Sequence, residues 1–115
     1  MGASSSKAVI LIFEQDLIWS SRLTKSLGAL GYESRTVKST PEDLADVTGA
    51  IVNLGVDAFV AEVPKLTSQG VHVIGHAGHK EKDLHELGRE AGCQTLATNS
   101  ELTYKIESLV KNAGM

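Results

Sequence analysis

The chain has one cysteine, Cys93, among its 115 residues, so no internal disulfide framework can staple it, and a reducing, cytoplasmic setting is expected. Aromatic residues make up only 4%, no basic stripe carries them, and the net charge is −3. Neither nucleic acid nor an anionic membrane surface is expected as a partner on charge grounds. No apolar run approaches the roughly 18–20 residues needed to span a bilayer. The opening Met1-Gly2-Ala3-Ser4-Ser5-Ser6 lacks the basic-then-apolar order of a secretory signal. Gly2 and Ser6 match the loose myristoylation pattern, but a flexible tail over residues 1–7 is the simpler expectation.

What is present is ordinary for a globular protein: 42% hydrophobic and 22% charged residues, in a length that suits one domain over residues 8–113. The stretch Gly49-Ala50-Ile51-Val52-Asn53-Leu54 is apolar on both sides, which suits a central parallel strand covered on both faces. Asn53 then stands just past the carboxyl end of that strand, where open α/β sheets collect their functional groups. An asparagine there is neither a base nor a good nucleophile.

Strand and helix patterns alternate along the chain. Residues 8–13 are a β-rich apolar run, followed by Asp16 as a plausible N-cap. Trp19, Leu23, Leu27 and Leu30 then fall at helical spacing, and Gly31 closes that helix. Trp19 reads as a packing residue rather than a stacking platform. Residues 32–37 form a less apolar strand, expected at a sheet edge. Thr40-Pro41-Glu42 predicts a short helix start, with Leu44 and Val47 inward. Over residues 56–70, Phe59, Val60, Val63 and Leu66 keep helical spacing while Pro64 interrupts it, so a kinked or irregular helix is expected. A short strand over residues 58–63 is the alternative. Residues 71–75 give a fourth strand, residues 80–91 a helix with Leu84 and Leu87 facing in and ended by Gly92, and residues 93–98 a fifth strand. Ser100 is expected to cap a last helix, with Glu101 in its first turn, Lys111 in its last, and Leu102, Ile106, Leu109 and Val110 as its buried stripe. The βα alternation, five strands with five helices, predicts a three-layer α/β sandwich with right-handed crossovers and helices on both faces.

With the elements in this order, nearly the whole chain resembles the receiver domain of bacterial two-component response regulators. Ile10-Leu11-Ile12-Phe13-Glu14-Gln15-Asp16 looks like the family's first strand and acidic, metal-binding turn. Leu23, Leu27, Gly31 and Tyr32 match its first helix and exit, and Ala91-Gly92-Cys93 resembles its turn into the fifth strand. The resemblance implies a flavodoxin-like five-stranded parallel sheet of order 2-1-3-4-5.

The family's functional residues fare differently when carried over one by one. The phospho-accepting aspartate corresponds to Asn53, whose amide cannot act as that nucleophile. The acidic pair that helps hold Mg²⁺ corresponds to Glu14 and Gln15, with Asp16 a displaced second carboxylate. Magnesium prefers hard, charged oxygen ligands, so the site is severely weakened. The Ser/Thr after the fourth strand corresponds to Ala77, the lysine after the fifth to Asn99, and the aromatic switch position to Leu96. The resemblance is therefore to a pseudo-receiver, with no cofactor, metal or catalytic residue expected.

Val71-His72-Val73-Ile74-Gly75-His76-Ala77-Gly78-His79 holds three of the four histidines. His72 and His76 share a strand face if the strand runs that far. His76, His79, Glu14 and Cys93 are conceivable zinc ligands without a compact motif, and solvated or hydrogen-bonded histidines are the expectation. His76 as a base or phosphoacceptor lacks a marked partner. Cys93 reads as a small buried residue, and the charges of Lys80-Glu81-Lys82-Asp83 as the solvated start of a helix.

The expected function is a phosphorylation-independent signalling module that binds a protein partner, or a second copy of itself, through the face spanning residues 80–111. The competing class is a small-ligand binder or enzyme with a strand-end site around Glu14, Asn53, His76 and Asn99. Weak phosphotransfer through Asp16 or Asp57 is a third, less favoured reading.

Overall fold

A computed structural model describes residues 8–115; the tail expected over residues 1–7 lies outside the described residues. Strand β1 (Val9–Phe13) is buried at every position, as a strand flanked by neighbours and covered on both faces must be. Its partners are β2 (Glu33–Val37) on one side and β3 (Val47–Asn53) on the other. Beyond β3 come β4 (His72–Ala77) and β5 (Thr95–Thr98), all parallel, in the order β2-β1-β3-β4-β5. The polar β2 sits at an edge, as its composition predicted.

Side-chain alternation divides the core in two. Leu11, Phe13, Ala50, Val52, Leu54, Val73 and Ala77 face helices α2 (Asp57–Val60), α3 (Val63–Thr67) and α4 (Lys82–Ala91). Ile10, Ile12, Ile51, Ile74 and Ala97 face α1 (Leu17–Ala29), α5 (Asn99–Tyr104) and α6 (Ile106–Asn112). The expected three-layer sandwich and strand order are both observed. Leu54, fully buried, fits because Gly75 and Gly88 leave it room: a Cβ on either would come within 3.1 Å of its methyls.

The local signals mostly held. Asp16 caps α1 by accepting from the Ile18 and Trp19 amides, and Gly31 (φ 92°) and Gly92 (φ 115°) supply the left-handed exits of α1 and α4. Pro64 falls in the first turn of α3, so residues 56–70 form two short helices, an irregular helical segment rather than a strand.

Four expectations need correction, the first being that Leu87, expected to face inward on α4 with Leu84, is 39% exposed. Residues 38–46 contain no helix: the Thr40 amide donates to Glu62 Oε1 at 2.6 Å, and Asp43 Oδ1 takes the Ala45 amide at 2.9 Å. These side-chain bonds compete with helical ones, and Val47 instead opens β3. The strict alternation of five helices with five strands is broken accordingly. The last helix is interrupted at Lys105, whose dihedrals (−125°, 23°) leave the helical range, although Leu102, Ile106 and Val110 keep one buried stripe. Its cap is Thr98, not Ser100: Thr98 Oγ1 accepts from the Glu101 amide while Glu101 Oε1 accepts from the Thr98 amide, a reciprocal capping box.

Candidate functional site

Parity along the strands decides which polar side chains meet. Asn53 ends β3 on the face shared with Ile51, and its register partner in β4 is His76, on the same face as Ile74. Glu14 follows β1 immediately, and Asn99 opens α5 just past β5. All four therefore converge at the carboxyl edge of the sheet, on the α1–α5 side.

Glu14 is the centre of the cluster and only 4% exposed. A buried carboxylate is tolerable only when hydrogen-bonded. Here its Oε2 accepts from the amides of Gln15 and Asp16, both at 3.1 Å, and the Asn53 Nδ2 group lies 3.2 and 3.1 Å from its two oxygens. Asn53 Oδ1 in turn accepts from the Gly55 amide at 2.9 Å, which fixes which end of the amide faces the acid. Asn53 is thus a donor locked onto Glu14.

His76 closes the other side. It is 2% exposed, lies with its ring centroid 5.7 Å from that of Trp19, and its Nδ1 sits 2.7 Å from Asn99 Oδ1. An amide oxygen only accepts, so Nδ1 carries the proton in this arrangement. Nε2 then faces Glu14 Oε1 at 3.7 Å and has no hydrogen-bond partner. Burial pushes the His76 pKa below its ordinary value, and the His85 charge adds to this; the Asn99 bond and the Glu14 charge oppose it without reversing it. At neutral pH the ring is uncharged, so the contact is within ion-pair distance but is not an ion pair.

The remaining expected site residues are dispersed. Gln15 is exposed and offers the acid only its backbone amide. Asp16, the displaced second carboxylate, is occupied as the α1 cap. Ala77 is buried in the opposite cluster, and Leu96 is half-buried against that same cluster. His79 is exposed, and His72 pairs with Thr95 Oγ1 at 2.8 Å. Cys93 lies on the far face, where burial pushes its thiol up to about 11, an inert value. The zinc candidates do not converge: among the described residues, no three His, Cys, Asp or Glu side chains come together. Asp57 begins α2, beyond the strand end.

Sequence reasoning anticipated Glu14, Asn53, His76 and Asn99 as neighbours but missed how they pair. It also missed a cavity of about 560 Å³ on the other side of Glu14, bounded by the turns after β1, β2 and β3. Lys38, Val56 and Phe59 line it, and no local motif marks them. No described helix is long and apolar enough to cross a membrane.

No protein-family model matches the chain, and no curated protein sequence matches it. Solved structures do. A candidate response regulator from Chloroflexus aurantiacus superposes with a TM-score of 0.78 over 93% of this chain and 97% of its own, at 17% identity. A response regulator from Thermotoga maritima gives 0.75 over 93% and 97%, at 12% identity. The receiver domain of NtrX from Brucella abortus gives 0.73 over 91% and 96%, at 12% identity. The chain has the receiver fold.

Proposed function

We propose that the chain is a phosphorylation-independent, pseudo-receiver signalling domain, not an enzyme, that acts by binding protein. The observation that carries this reading is the Asn53 amide donating to both oxygens of Glu14. A receiver of the usual kind needs a carboxylate at Asn53 as nucleophile and free acidic oxygens beside it for Mg²⁺. Here the nucleophile's position is filled by a donor, and the acid's lone pairs already accept from the Asn53 side chain and two backbone amides. Ala77 has no hydroxyl and Asn99 no cation, and Asn99 is engaged with His76. The small-ligand alternative placed its site around Glu14, Asn53, His76 and Asn99, and of these only Glu14 lines the cavity beside the cluster.

The interaction face is the one spanning residues 80–111, for a partner protein or a second copy of the chain. Tyr104 is 83% exposed and Leu87 39% exposed there. Large apolar side chains left in water are the usual anchors of interfaces. The test pairs acetyl phosphate treatment, read by intact mass, with sedimentation and affinity capture of the native chain and of Leu87→Glu and Tyr104→Ala. The proposal expects no phosphoryl adduct, and an association that both substitutions weaken. A stable aspartyl-phosphate adduct, or an inert monomer that captures nothing, counts against it.

A further inference from the structure

The cavity beside Glu14 plays no part in that function. It opens outside the carboxyl ends of β1, β2 and β3, the edge of an open α/β sheet at which ligands bind. Its volume, about 560 Å³, falls within the range of small-molecule sites. Phe59, 4% exposed, is part of its lining, together with the partly buried Val37 and Val56 that pack on the same core cluster. Ala58 and Leu17 complete the apolar lining, and Leu17 is 77% exposed although it occupies the first turn of α1, where a polar residue would cost nothing.

Gln15 and Thr36 are the uncharged polar members of the lining, and Lys38 and Glu14 the charged ones. Lys38, exposed just past β2, has no carboxylate within ion-pair distance among the described residues. Glu14, also in the lining, presents a carboxylate already held by the Asn53 side chain and two backbone amides. The charged part of the lining is thus one cation without an ion-pair partner and one anion already held by hydrogen bonds. That disfavours polyanions such as nucleotides, which would bring several charges to a site with one cation and an acid. It favours an apolar body carrying a single negative charge directed at Lys38.

We propose that this cavity binds a small amphiphilic monocarboxylate, with its aromatic or branched aliphatic body against Leu17, Val56 and Phe59 and its carboxylate on Lys38. The site is independent of the face spanning residues 80–111, so either proposal can fail without the other.

The test is amide NMR titration of the full chain with phenylbutyrate and with the uncharged phenylbutanol. Saturable shifts at Leu17, Lys38, Val56 and Phe59, with the alcohol several-fold weaker, are expected. Lys38→Ala should weaken phenylbutyrate about tenfold, the worth of one charge-assisted hydrogen bond. Leu17→Glu should abolish binding by placing a like charge at the rim. Both side chains are exposed, so neither change threatens folding. No saturable shift with phenylbutyrate, equal affinity for acid and alcohol, or an unaffected Lys38→Ala variant each overturns the proposal. So does binding of an acidic amphipathic peptide in its place, which would make the groove a protein-docking surface.

Discussion

Replacing Asn53 with aspartate restores the residue that a phosphorylatable receiver would carry, and the hydrogen-bond geometry sets the cost. The substitution removes the Nδ2 donor that lies 3.1 and 3.2 Å from the two oxygens of Glu14. Loss of a hydrogen bond to a charged acceptor costs about 1.5–3 kcal/mol. It also sets a second carboxylate against a buried first one. Two like charges about 4 Å apart repel by about 4 kcal/mol at the effective dielectric of a protein surface, unless one takes up a proton. The variant should therefore lose up to about 5.5–7 kcal/mol at neutral pH, large against the total stability of such a domain. Asn53→Ala, which removes the donor without adding charge, should lose less, about 1–3 kcal/mol. Urea unfolding monitored by circular dichroism separates the two, and millimolar Mg²⁺ should stabilise Asn53→Asp while leaving the native chain unchanged. An Asn53→Asp variant as stable as the native chain without metal would refute the reasoning.

Other expected outcomes concern pH, packing and capping. His76 is held below its ordinary pKa chiefly by burial, and Glu14, Asn99, Trp19 and His85 surround it. Below about pH 6.5 the unfolded chain therefore binds a proton that the folded ring refuses, so stability falls on acidification by at most about 1.4 kcal/mol per pH unit for that group. His72, also lowered by burial, acts in the same direction, and His76→Gln should flatten much of the slope; stability that rises as pH drops from 7 to 5.5 would mean the Glu14 contact is an ion pair after all. Gly75→Ala would bring a methyl within 2.9 Å of Cys93 Sγ and 3.1 Å of Leu54, an overpacking cost of about 1–3 kcal/mol. Combining it with Leu54→Val should give less than the sum of the two losses in a double-mutant cycle. Thr98→Ala should lose about 1 kcal/mol from the α5 cap, whereas Ser100→Ala should stay within about 0.5 kcal/mol, a contrast thermal unfolding can read.

The central strands β1, β3 and β4 were legible because each is largely an apolar run, and the main helices because Asp16, Gly31 and Gly92 are local stop and start signals that nothing distant overrides. The segment after β2 was misread for the opposite reason. Thr40-Pro41-Glu42 has the chemistry of a helix start, but the Thr40 amide finds its acceptor in Glu62, 22 residues away. No window of sequence contains that bond. The displacement of the last cap by two residues has a local cause: both Thr98 and Ser100 offer a hydroxyl, and only Thr98 stands three residues before Glu101, as a capping box requires.

The site was legible in composition but not in wiring. Asn53 in place of an acid was visible at once, whereas its donation to Glu14 depends on β1 and β3 being neighbours. His76 had no marked partner because nothing nearby in sequence could pair with it. Its partner, Asn99, arrives only when β4 pairs with β5 and α5 comes after it. The cavity was invisible, since its walls come from three separate turns that share no motif.

The central proposal is that the strand-end cluster, its Glu14 already accepting from Asn53 and two backbone amides, takes up neither metal nor phosphoryl group. Amide NMR of the native chain, titrated first with Mg²⁺ and then with beryllofluoride as a phosphoryl mimic, tests it most directly. No saturable shifts are predicted at Glu14, Asn53 or Asn99. Saturable shifts at those residues, growing when beryllofluoride is added after the metal, would contradict the claim and return the domain to the phosphorylated receivers.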